Sequence, residues 1–158
     1  MKGFIRALFS LGVTLLFLSC NGKKKNEVLV AVAANASNAM EEIKSNFEKE
    51  TGISITLING SSGKLTNLIR EGAPYDVIIS ADEKYPDILF KEGFALKEPK
   101  RYAYGNLVLW TKKNINCTDL NTLLHPQVKS IAIANPKVAP YGEAAVEVLK
   151  QYKMYNQV

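Results

Sequence analysis

From Glu27 onward the chain alternates short apolar runs with amphipathic stretches. Val28 to Ala33 (VLVAVA) carries no polar residue, the pattern of a strand buried on both faces in a parallel sheet. Ser37 to Glu50 follows, with Met40, Ile43 and Phe47 at helical spacing and charges between them, and Gly52 ends that helix. Ile53 to Ile58 predicts a second strand. Leu65, Leu68 and Ile69 mark a second helix, stopped by Gly72 and Pro74. Asp76 to Ser80 (DVIIS) predicts a third strand, and Tyr85 to Phe90 a short helix closed by Gly93. The order β-α-β-α-β-α implies an α/β unit with a parallel sheet and right-handed crossovers.

The rhythm then changes. Lys97 to Arg101 is polar and contains Pro99. Tyr104 to Thr111 (YGNLVLWT) predicts a longer strand, with Trp110 read as core or hinge packing. A helical turn is expected near Asp119 to Leu124, a strand over Ser130 to Ala134 (SIAIA), and a helix from about Tyr141 to Tyr155. The polar stretch and the Tyr104 strand read as a passage between lobes. Residues 27–103 are then lobe I, and 104–158 a crossover strand with part of lobe II. About two strands are too few for a stable second sheet. The chain is therefore expected to continue past Val158 and to fold poorly without that continuation.

The first residues break the pattern. Lys2 and Arg6 precede an apolar run from Ala7 to Leu18 that is too short and wrongly flanked for a membrane span. Residues 1–19 have the layout of an export signal. Phe17-Leu18-Ser19-Cys20 resembles the lipobox of bacterial lipoproteins, with Phe17 where Leu is usual. That resemblance implies cleavage before Cys20 and lipid on Cys20, so the protein is expected outside the cytoplasm, anchored to a membrane. Residues 20–26 are a polar, basic tether. Cys117 is the one other cysteine, so no disulfide within the chain is expected. Removing Lys2 and Arg6 with the signal lowers the net charge from +5 to +3, too little and too dispersed for nucleic acid.

Candidate chemistry lies in the loops. Asn59-Gly60-Ser61-Ser62-Gly63-Lys64-Leu65 sits between a strand and a helix and looks like a phosphate cradle. A Walker A loop requires Gly at position 58 and Ser or Thr after the lysine, and this chain has Ile58 and Leu65. Two other loops share the setting: Ala33 to Asn38 after the first strand, and Ala134 to Gly142 after SIAIA. In each, helix N-terminal N–H groups point off the carboxyl edge of a sheet, where open α/β sheets bind ligands. Asn35, Ser37, Ser61, Ser62 and Tyr141 add neutral donors, while Lys and Arg are scarce at the loop tips. Such a site suits a fully ionised oxyanion and rejects a protonated one, which brings a donor where only donors wait. Each donor contributes roughly 1.5–3 kcal/mol to a charged acceptor. About five to seven therefore support tight binding after association costs. Taken singly, each loop is also explained by ordinary capping and turn chemistry.

The stretches AVAANASNAMEEI, GSSGKLTNLIREGAPYDVIISAD and IAIANPKVAPYGEAAVEVL resemble the molybdate-binding proteins of ABC transporters, within the type II periplasmic-binding fold. The resemblance covers nearly all of Glu27 to Val158. It implies two lobes, each a mainly parallel sheet flanked by helices, with the second lobe incomplete here. It implies that molybdate or tungstate lies between the lobes on hydrogen bonds alone, with no metal cation, cofactor or catalysis. It implies contacts from Asn35, Ser62 and Tyr141, two further contacts beyond Val158, delivery to an ABC permease, and a monomer. Asn35 and Tyr141 depart from the commonest residues at their positions, which bears on anion preference.

Three other readings stay open on residues alone. One is a binder of sulfate or another tetrahedral oxyanion. Another is an exported phosphatase using Asp76 or Asp82, although these carboxylates also suit a strand end and a helix start. The last is a lipoprotein serving protein contacts only. His125, in Leu124-His125-Pro126, is the sole histidine and has no partners for a metal site.

Overall fold

A computed structural model describes residues 26–158. The expected signal, Cys20 and nearly all of the tether lie outside the described residues. Strand β1 (Glu27–Ala33) is central, with β2 (Ser54–Gly60) on one side and β3 (Val77–Ile79) on the other, all parallel. Val30 pairs with Leu57 in β2 and with Val77 in β3. The three apolar runs expected as strands in the first half of the chain are therefore strands, within a residue or two at their ends.

Helices α1 (Ser37–Thr51), α2 (Ser62–Arg70) and α3 (Lys84–Lys91) follow β1, β2 and β3. Glycine in the left-handed region ends α1 at Gly52, with φ 69°. Alternation along β1 separates two packing surfaces. Val30 and Val32, almost fully buried, join Ile55, Leu57, Ile79 and Met40 of α1. Ala31 and Ala33, also buried, are small, and α2 lies close to β1 with Leu65 1% exposed.

Asp76 locks the start of β3 to β1. Its N–H donates to Leu29 O at 2.9 Å, and its carboxylate accepts the Leu29 N–H at 2.8 Å. Asp82 accepts from Ser80 Oγ at 3.1 Å and from the Tyr85 N–H at 3.4 Å, at the start of α3. Both carboxylates therefore serve the strand end and helix start.

The second half departs from expectation. Tyr104 to Thr111 and Ser130 to Ala134 form no strand. Val108 is 83% exposed and Trp110 75%, so Trp110 is not core packing. The physical reason is that β-propensity becomes a strand only through ladder bonds to a neighbour. Among the described residues, no strand lies alongside either segment. Residues Leu120–Leu124 form a 3₁₀ turn, as the pattern suggested, capped by Asp119 Oδ1 accepting the Asn121 N–H at 2.7 Å. Helix α4 (Pro140–Gln151) starts where Pro is favoured and stops short of Tyr155. The chain turns through Lys153 at φ 57° and buries Met154 beside Leu149. No helix among the described residues is long and apolar enough to cross a membrane.

Candidate functional site

The strand order places a switch point at the carboxyl end of β1. The chain leaves β1 for β2 on one side, then crosses to β3 on the other. The crevice outside that end is where open α/β sheets take ligands. Asn35 stands there, in a 3₁₀ turn (Ala34–Ala36) between β1 and α1.

Cross-links draw the three expected loops together. Ser37 Oγ donates to Asn59 Oδ1 at 2.8 Å, joining the first loop to the second. The Gly63 N–H donates to Val138 O at 3.0 Å, joining the second to the third. Asn35 and Tyr141 line one open cleft of about 960 Å³, joining the first to the third. Two glycines make the approach possible. A methyl group on Gly63 would stand 3.0 Å from Val138 O and 2.7 Å from Tyr85 Oη, and one on Gly142 would stand 2.1 Å from Ala134 O.

Ser62 is placed differently from Asn35 and Tyr141. It is the first residue of α2, and it is 1% exposed. Its Oγ accepts the Ala81 N–H at 3.0 Å, and its carbonyl accepts Thr66 Oγ at 2.9 Å. The hydroxyl therefore holds the loop after β3 against the loop after β2. Ser62 does not line the cleft that Asn35 and Tyr141 share.

Several lining groups escaped the sequence reading. Lys97, Lys100, Arg101, Tyr102, Tyr104 and Gly105 come from the stretch taken as a mere passage. The loop tips are poor in cations, yet the cleft is not. Arg101 is partly neutralised: its guanidinium donates to Glu83 Oε1 at 2.6 Å and to Tyr104 Oη at 2.8 Å, and it lies over the Tyr104 ring. The Tyr104 hydrogen bond, then Glu83, hold the Arg101 pKa above its usual value. Tyr102 Oη donates to Ser80 O at 2.8 Å. Burial first, then neighbouring Tyr141, pushes the Tyr102 phenol up, which keeps it a neutral donor. The available signal was Lys-Glu-Pro-Lys-Arg running directly into tyrosines.

The remaining candidates are peripheral. His125 Nδ1 accepts the Gln127 N–H at 3.2 Å within its turn. Cys117 is a free, half-buried thiol whose Sγ lies 3.5 Å from Ile115 O. No group of three or more His, Cys, Asp or Glu suited to a metal ion occurs among the described residues.

Known proteins share this fold. The profile of the bacterial extracellular solute-binding protein family matches residues 28–158. The molybdate-binding protein ModA of Azotobacter vinelandii is 41% identical over 146 residues, covering 91% of this chain and 57% of that protein. ModA of Rhodobacter capsulatus is 39% identical over 131 residues, covering 82% and 52%. A putative ABC transporter substrate-binding lipoprotein, YvgL of Bacillus subtilis (strain 168), is 31% identical, covering 89% and 55%. The solved periplasmic molybdate-binding protein of Azotobacter vinelandii superposes with a TM-score of 0.78 at 38% identity, over 82% of this chain and 57% of that one. The chain thus spans a little over half the length of these relatives. With a matching profile over most of its length and a shared fold, the chain belongs to the bacterial extracellular solute-binding protein family.

Proposed function

We propose that this chain is the anion-capturing part of an exported, lipid-anchored solute-binding protein, which takes molybdate or tungstate between two lobes and passes it to an ABC permease. The observation that carries the reading is the meeting of two strand–helix loops, after β1 and β2, with the loop that leads into α4, at the carboxyl edge of one sheet. Relatives named for molybdate binding support the choice of anion. Cys20 behind an export signal, and a relative named as a lipoprotein, support the anchor.

Each residue has a role in this reading. Asn35 offers its side-chain amide at the switch point. Tyr141 offers its main-chain N–H in the first turn of α4, where a helix has no internal acceptors; Ser62, which does not line the open cleft, offers the equivalent N–H of α2 only once the walls have closed. The Ser62 hydroxyl accepts from Ala81 and retains its own proton to donate. The Gly63 N–H is already given to Val138 O, so it supports the loop rather than the anion. A cleft of about 960 Å³ is far wider than one tetrahedral oxyanion. Capture therefore requires the walls to close, excluding water so that neutral donors count fully. No bond of the ligand is made or broken. Asp76 and Asp82, which a phosphatase would use, are committed to the Leu29 and Tyr85 main chain.

The test is the melting temperature of the intact protein with excess molybdate, tungstate, sulfate or phosphate. A ligand at 100 times its Kd adds about 2.7 kcal/mol, a rise of several degrees. A rise with molybdate and tungstate, absent with sulfate and lost in Asn35→Ala, is the expected result. A folded protein unmoved by every oxyanion overturns the reading. Metal-dependent turnover of a phosphate ester would put an enzyme in its place.

A further inference from the structure

We infer that Gly105 is a positioning residue for Tyr141 and thereby sets the working width of the anion cleft. The inference rests on the oxyanion reading and deepens it. Gly105 and Tyr141 come from different segments of the chain and both line the cleft. A methyl group on Gly105 would stand 1.9 Å from Tyr141 Oη, 2.9 Å from Cζ and 3.6 Å from Cε1. The tip of the phenol therefore fills the space that any other side chain would take. Gly105 is not needed for its backbone: the glycines at positive φ among the described residues are Gly52, Gly72 and Gly93. The Gly105 backbone does not lie at positive φ, and the three atoms nearest an added methyl group all belong to Tyr141.

This contact has consequences for the anion. Tyr141 is the second residue of α4, so its ring and its main-chain N–H move together with the start of that helix. Seating the ring in the Gly105 notch fixes how far the α4 N-terminus stands from the segment that carries Gly105. A filled notch forces the ring back into the cleft or the helix start outward. Either shift spoils a ring of short hydrogen bonds around a small anion, because those bonds weaken steeply with misplacement.

Four intact proteins test this: wild type, Gly105→Ala, Tyr141→Ala and the double variant. Titration calorimetry with molybdate and with sulfate gives Kd, and melting without ligand reports folding. Gly105→Ala is expected to weaken molybdate by about tenfold or more, which is about 1.4 kcal/mol, and to change the molybdate-to-sulfate ratio. In the Tyr141→Ala background the same substitution is expected to change neither Kd nor melting, because the clash is gone. Equal losses in both backgrounds, or no loss in either, overturn the inference. If the wild type binds no oxyanion, the functional reading fails on its own. The steric pair is then judged by melting: it stands if Gly105→Ala lowers the melting temperature only where Tyr141 is present, and falls otherwise.

Discussion

The α-carbon of Gly142 packs against the carbonyl of Ala134, so closely that a methyl group would stand 2.1 Å from that oxygen and 2.7 Å from its carbon. The neighbour is main chain and cannot swing aside. This close approach brings the first turn of α4 onto the segment that precedes it, and so carries Tyr141 to the cleft.

Gly142→Ala is therefore expected to destabilise the protein, although alanine is the better helix former by about 1 kcal/mol. Overpacking against a fixed neighbour costs about 1–3 kcal/mol or more, which outweighs that gain. Urea unfolding checks the sign. A more stable Gly142→Ala protein would show that the α4 start does not press on Ala134.

Ser62→Ala separates scaffold from ligand contact. Ser62 is buried, and removing its hydroxyl leaves the partly buried Ala81 N–H without its acceptor. Such a loss costs about 1–3 kcal/mol, and it is expected in the ligand-free protein, measured by denaturant unfolding with no oxyanion present. A variant as stable as wild type, yet weaker for the anion, would make Ser62 a ligand contact alone.

Leu65→Ala tests the packing behind the loop. Leu65 is 1% exposed, and its side chain lies where a Cβ on Gly60 would be 3.0 Å away. Truncating a buried leucine costs about 2–5 kcal/mol through lost transfer energy and the cavity left. The same change at Leu96, which is fully exposed, is expected to be nearly neutral. Comparable losses at both positions would contradict the described core.

The pair of Arg70, in α2, and Glu92, after α3, gives a pH signature. The Arg70 hydrogen bond, more than its charge, lowers the Glu92 pKa below the ordinary 4.5. A lowered carboxylate contributes stability above its unfolded value, and that contribution disappears as pH falls through the folded value. Melting of wild type and Glu92→Gln is expected to differ modestly at pH 7 and to converge below about pH 4.5. Both side chains are well exposed, so the pair is screened and added salt shrinks the difference. A gap that widens on acidification would reverse the assignment.

Much of the first half was legible in the chain. Apolar runs such as Val28 to Ala33 specify buried parallel strands, because a residue covered on both faces must be apolar. Met40, Ile43 and Phe47 at helical spacing, then Gly52, specify a helix and its stop. Asp76 and Asp82 sit where a strand start and a helix start need an acceptor. All these signals act within a few residues. They also sufficed to suggest three strand–helix loops and an oxyanion.

Tertiary structure alone decided the rest. Tyr104 to Thr111 has strand composition, yet a strand exists only beside a partner, and none of the described strands lies next to it. The buried Ser62 hydroxyl turned out to hold Ala81, and the passage at Lys97 to Gly105 turned out to line the cleft. Gly63 against Val138, Gly105 against Tyr141 and Arg101 against Glu83 are pairs far apart in the chain. Local periodicity determines which residues are buried and in which element. Distances between elements are set by how whole surfaces pack, and no short stretch of sequence contains that information.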